Sequence, residues 1–143
     1  MTDFKFKVPQ RYDAATAQEG VFFEVVDEYD TSWGEFKCIY SDEDERRIKL
    51  ASDRLKVKYA KEIRTGKVST KVLQFEMFLE ALLVDWRGVK DDKGKEIPFT
   101  KEAARAYFEI PEVAKFVLPH LYDYISDVRN FKLVDKDEVT GNS

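Results

Sequence analysis

The 143-residue sequence predicts an α+β fold, mostly α, in which an N-terminal antiparallel β-hairpin leads into a bundle of four or five helices. Two observations predict the hairpin. Residues 21–26 and 35–40 are rich in β-branched and aromatic side chains, and a polar link containing Gly34 joins them. A third observation predicts the bundle. From residue 41 onward the apolar positions recur every three or four residues, the period of a helix with one buried face.

Residues 10–20 are polar and alanine-rich and lead into Val21, Phe22, Phe23, Glu24, Val25 and Val26. The second strand alternates imperfectly, with Phe36, Cys38 and Tyr40 against Glu35, Lys37 and Ile39. Phe4 and Phe6 offer a short third strand. At residues 41–45 a capping hydroxyl is followed by four acids, which favour the positive end of a helix dipole, so a helix is expected to begin there. Its inner face is Ile48, Ala51, Leu55, Tyr59 and Ile63, and Gly66 is placed to stop it. A second helix is expected from Ser69 or Thr70 through Val72, Phe75, Phe78, Leu79, Leu82, Leu83 and Trp86. Its apolar residues cover more than one face, which suits the centre of a core.

Residues 91–94 are a turn signal, and Val89 and Ile97 on either side are spaced to pair as a two-stranded clip. Thr100 caps a short helix over residues 101–109, with Glu102 in its first turn. Pro111 opens the last helix, whose inward set is Ala114, Val117, Leu118, Leu121, Ile125 and Val128. Pro119 is expected to kink or split that helix, because it lacks the amide that position needs. One folded unit is therefore expected over residues 1–131, with the hairpin in 1–40 and the helices in 41–131. Residues 132–143 lack any apolar period and read as a flexible C-terminal tail.

The composition narrows the function. A chain with 43% hydrophobic and 36% charged residues is expected to fold around one core under a heavily charged surface. A net charge of −4 gives no global pull toward a phosphate backbone, so nucleic acid is a poor partner. The single cysteine, Cys38, allows neither an intrachain disulfide nor a cysteine zinc cluster, and it suits a reducing cytosol. Residues 1–7 alternate charge with phenylalanine where a signal peptide needs an unbroken apolar stretch, so no export is expected. The longest apolar runs fall far short of the ~20 residues that cross a bilayer, so no membrane insertion is expected.

No catalytic set is legible, and neither an enzymatic activity nor a cofactor is expected. The lone histidine, His120, has no cysteine or histidine at helical spacing and reads as a structural or partly exposed helix residue. Cys38 and His120 could meet as nucleophile and base only through the fold. The acids at residues 42–45 read as a helix start and Asp91 and Asp92 as turn residues, with no calcium-loop pattern. The glycines stand singly, which removes nucleotide-cradling motifs and leaves no metal or cofactor residue to name.

Residues 54–67 hold six cations, Arg54, Lys56, Lys58, Lys61, Arg64 and Lys67, against Glu62. A solvated helix face with lysine stems over apolar surface explains them, as would contact with an acidic surface or a phosphate backbone. The 11 Phe, 7 Tyr and 2 Trp are an aromatic excess. The last two helices carry more rings than one inward face can take. Phe108, Phe116, Tyr122, Tyr124 and Phe131 are therefore the candidate partner-binding residues.

The joint after the second helix has a distinctive pattern: Trp86-Arg87-Gly88-Val89, then Asp92-Lys93-Gly94, then Ile97-Pro98-Phe99-Thr100, and later Asn130-Phe131. Upstream stand Ile39-Tyr40-Ser41-Asp42 and the pair Arg46 and Arg47. Over residues 36–131 this pattern resembles the tail assembly chaperones of long-tailed bacteriophages. The resemblance implies a non-enzymatic protein of the host cell cytoplasm, absent from the mature virion. It would bind the helical tape-measure protein, keep it soluble and help recruit tail-tube subunits, with self-association. It also implies a longer frameshifted form, for which residues 132–143 would suit the junction. Trp86, Gly88, Gly94, Pro98, Phe99 and Thr100 then form a structural joint, with Trp86 anchoring the end of the central helix. Two other readings stay open: a structural virion component such as a tail-completion or connector subunit, and a small nucleic-acid-binding regulator using the basic helix.

Overall fold

The computed structural model describes residues 3–132, so the expected tail, residues 132–143, lies outside the described residues apart from Lys132. The fold is α+β and mostly α. Its sheet is antiparallel and three-stranded, in the order β1-β2-β3. A short helix α1 (Ala14–Glu19) leads into β1 (Val21–Val26), which pairs with β2 (Ser32–Cys38) through the register Phe22↔Lys37 and Phe23↔Phe36. Asp27 holds the turn between them: its Oδ1 accepts the amides of Tyr29 (2.9 Å) and Thr31 (3.0 Å), and its Oδ2 accepts Trp33 Nε1 at 3.1 Å. These bonds, the Thr31 amide foremost, hold its carboxyl below the usual aspartate range.

The third strand is a correction to the sequence reading. It is β3 (Leu83–Arg87), paired with β2 as Phe36↔Trp86 and Lys37↔Asp85. Phe4 and Phe6 lie outside the sheet and are exposed. The expected second helix is accordingly shorter. Helix α4 (Thr70–Met77), capped by Ser69 Oγ on the Val72 amide, widens into a π-helical turn over Phe78–Leu82 and passes into β3 without a loop. Lys101 Nζ binds the carbonyls exposed by that passage, those of Leu79 (2.7 Å), Leu83 (3.2 Å) and Glu80 (3.3 Å).

The first long helix also begins later than expected. Helix α2 (Arg46–Lys58) follows the acidic cluster, and Glu45 caps it by accepting the amides of Arg47 and Ile48. An acid accepts two free amides here where Ser41 was expected to start the helix. Ser41 instead bonds the carbonyl of Ile125. Ile48, Ala51 and Leu55 are buried as expected. The helix breaks at Tyr59, so Ile63 falls on the separate short α3 (Ala60–Arg64) and is exposed. Gly66 follows with a left-handed backbone, φ +69°.

Helix α5 (Lys101–Phe108) is capped by Thr100 Oγ1 on the Ala103 amide, and α6 (Pro111–Ser126) opens on Pro111, both as the sequence predicts. Pro119 does not split α6. It lies on the exposed face, where water can satisfy the carbonyl one turn earlier. A 3-10 turn (Val128–Phe131) ends the described chain and buries Phe131 against Tyr40 and Phe23. One face of the sheet (Phe23, Val25, Phe36, Cys38, Trp86) and the inner faces of the helices share one core. At about 1.5–3 kcal/mol for each large side chain fully buried, Phe36, Phe78, Phe108 and Phe131 are its largest anchors.

Candidate partner-binding surface

The joint is built around an indole. Trp86 is buried on β3, donates its Nε1–H to the carbonyl of Ile97 at 2.8 Å, and packs edge-on against Phe99 (5.4 Å), Tyr107 (5.6 Å) and Phe36 (6.4 Å). It therefore ties sheet to loop, and does not sit at a helix end as the resemblance implied. Between Trp86 and Phe99 the chain forms the expected clip: the Ile97 amide binds Val89 O at 2.8 Å, and Lys90 bridges to Glu96. Gly88 (φ +76°) and Gly94 (φ +80°) take the left-handed backbone at its two reversals. Pro98 is exposed, Phe99 is half-buried over the indole, and Thr100 turns the chain into α5.

Helix α4 stands between two clefts, the second of them mainly apolar. One, of about 730 Å³, separates it from α2 and the end of α6, with Ile48, Met77, Leu82, Tyr122 and Ile125 on its floor. The other, of about 620 Å³, runs between α4 and the first half of α6, over Val72, Phe75, Phe108, Leu118 and Tyr122. Gln74 and Tyr122 line both, so these two side chains form part of the wall that the clefts share. Their rims are charged, with Glu43, Lys49, Asp53 and Lys56 along the first and Lys71, Glu109 and Lys115 along the second. Val72 is 42% exposed at the mouth of the second. Apolar floor, charged rim and a length set by helices match a groove that accepts the apolar stripe of another helix. Tyr122 packs edge-on against Phe78 at 5.5 Å, and burial pushes its phenol up to about 12, so it is neutral at physiological pH.

The candidate partner-binding residues divide unevenly. Phe108 and Phe131 are fully buried in the core and offer no surface of their own beyond the floor that Phe108 gives the second cleft. Tyr124 is half-buried against Phe23. Phe116 is half-buried between Trp33 (5.3 Å) and His120 (4.6 Å), away from the clefts. Tyr122 alone of the five lines both clefts, and Val72, Phe75 and Met77 are the groove residues that the aromatic excess did not single out. The helical period places Val72 and Phe75 in the expected core, because a groove floor and a core share one apolar pattern, and it does not mark Met77.

The remaining chemistry-bearing groups are dispersed. The Cys38 thiol is fully buried on β2, and burial raises its pKa, so it is a poor nucleophile. His120 is exposed on α6 with Nδ1 2.6 Å from the carbonyl of Phe116. In the basic run, Arg54 pairs with Glu80 at 2.5 Å, while Lys56, Lys58 and Lys61 are exposed. Among the described residues no cluster of His, Cys, Asp or Glu could hold a metal ion, and no helix is long and apolar enough to cross a membrane.

The fold and its surface define a small α+β protein with an aromatic joint around Trp86 and a charged-rim apolar groove beside α4. It belongs to the YdaY prophage protein family, whose model matches residues 40–142 and so takes in the groove, the joint and β3. This is a phage-derived protein. No curated protein and no solved structure matches it.

Proposed function

We propose that this prophage protein is a tail assembly chaperone that holds an apolar helix of the tape-measure protein in the α4 groove until tail-tube subunits assemble around it. The observation that carries the reading is the apolar cleft between α4 and α6, floored by Phe75, Leu118 and Tyr122, with Val72 exposed at its mouth and a charged rim. Prophage origin and the Trp86-to-Thr100 joint support it. Binding needs no catalytic group: each ~100 Å² of apolar client surface removed from water contributes about 2.5 kcal/mol against aggregation. The protein would act in the host cytoplasm, self-associate along a long client, and be left out of the mature virion.

Co-expression with the tape-measure protein of the same prophage tests this. The client should stay soluble and co-purify with the parent chain, and Val72→Glu and Tyr122→Ala should each lower recovery without unfolding the chaperone. Equal recovery with both variants would remove the groove from the proposal. No complex at all, together with stoichiometric presence in purified particles, would replace it with a structural virion component.

A further inference from the structure

Two parts of the chain are left unsatisfied by the fold. The first is the N-terminal arm. Phe4, Phe6 and Val8 are 69%, 80% and 81% exposed, and they alternate with Lys5 and Lys7 at the period of a strand. Pro9, which has no amide to donate, closes that stretch. The root of the arm is fixed beside the sheet, where Tyr12 packs on Tyr40 at 5.2 Å and the Asp13 amide binds Phe131 O at 2.8 Å.

The second is the outer edge of β1. At the β3 edge Lys101 Nζ binds Leu83 O, and the chain beyond Arg87 turns into the clip. Among the described residues no strand pairs with the outer side of β1. It has six residues, no proline and one charge, Glu24, a combination that sheets seldom leave bare. The two parts also complement each other in charge. The arm carries Lys5, Lys7 and Arg11 against Asp3, whereas β1 and its turn carry Glu24, Asp27, Glu28 and Asp30 with no cation.

We propose that the arm of one copy adds as a fourth strand to the β1 edge of a second copy, and reciprocally, giving a two-fold dimer. In register, Lys5 and Lys7 fall on the solvent face of the sheet beside Glu24. Phe4, Phe6 and Val8 then fall on the core side, beside Phe23 and Val25. The arms and their receiving edges together bury about 1,600 Å², the size of a standard interface. This assignment stands on the arm and the edge alone and is independent of the client.

Sedimentation equilibrium over a concentration series decides it, with circular dichroism checking that each variant is folded. The parent chain is expected to be a dimer. Phe4→Asp with Phe6→Asp should weaken it about a hundredfold, since two aromatic anchors are lost from each of two sites. Glu24→Lys should weaken it as well, and adding Lys5→Glu and Lys7→Glu to Glu24→Lys should restore it. A monomer at every concentration would overturn the proposal, as would a dimer that the arm variant leaves unchanged.

Discussion

Replacing Lys101 with methionine should uncouple the passage from α4 to β3. The lysine ammonium donates to three carbonyls, those of Leu79 at 2.7 Å, Leu83 at 3.2 Å and Glu80 at 3.3 Å, two of which end the helix while the third begins the strand. A continuing helix would supply amides to such carbonyls, and here the chain has turned away. Methionine keeps most of the apolar stem and removes every donor. A hydrogen bond from a charged group contributes about 1.5–3 kcal/mol. The 2.7 Å bond counts in full, the two longer ones share the same nitrogen, and Lys101 is exposed enough for water to compete. The expected loss is therefore about 2 kcal/mol. With an unfolding entropy near 2.1 cal/mol/K per residue, that lowers the Tm by about 7 °C. Thermal unfolding at pH 7, followed by circular dichroism, reads it directly. Lys101→Arg should fall between the two, since a planar guanidinium cannot point three donors at the same carbonyls. A methionine variant within ~2 °C of the parent would show that water already satisfies those carbonyls and that the lysine holds nothing.

Gly20→Ala should cost about 2 kcal/mol or more, because φ is +99° there and a Cβ would lie 2.9 Å from the carbonyl oxygen of Cys38; an unchanged urea midpoint would refute that. Trp86→Phe keeps the ring in the joint but strips the donor from Ile97 O, so a loss of about 1–2 kcal/mol and faster hydrogen exchange at the Ile97 amide are expected, and unaltered exchange would argue against the anchor. Burial raises the phenols of Tyr107 and Tyr122 to about 12, above the ~10 of an unfolded chain. Their contribution is complete below pH ~10 and drains away as pH climbs toward 12, so urea midpoints should decline across that interval; a level profile would contradict the burial of both rings.

Much of the fold is legible in the residue pattern, and its misreadings have physical causes. The hairpin, the caps Ser69 and Thr100, the opening of α6 on Pro111, and the buried Ile48, Ala51 and Leu55 all follow from local rules. β3 does not, because Val84 is an extra residue in its pairing with β2. That bulge places both Leu83 and Trp86 on the core side although they are three residues apart. A three-residue step is the signature of a helix, so the bulge disguises a strand as one more turn. Glu45 reads in the sequence as part of an acidic first turn, because the sequence shows charge but not which residue adopts the extended backbone of a cap. Of the groove, Tyr122 was legible and Val72, Phe75 and Met77 were not, since apolar spacing marks a face without saying whether the protein itself covers it. Lys101 and Asp27 gave no signal at all, because a lysine and an aspartate at loop boundaries are ordinary until their partners are known.

The direct passage from α4 to β3 has a mechanical consequence. A helix turns 100° with each residue and a strand 180°, so splicing them without a loop gears the rotation of one to the face of the other. The wide turn, where the Leu83 amide reaches back five residues to Phe78 O, and the extra residue at Val84 together set the teeth. One residue inserted in that stretch would swing Val72 and Phe75 out of the groove, or else turn Trp86 out of the joint. The same insertion between Asp91 and Lys95 would merely lengthen a solvent-exposed turn.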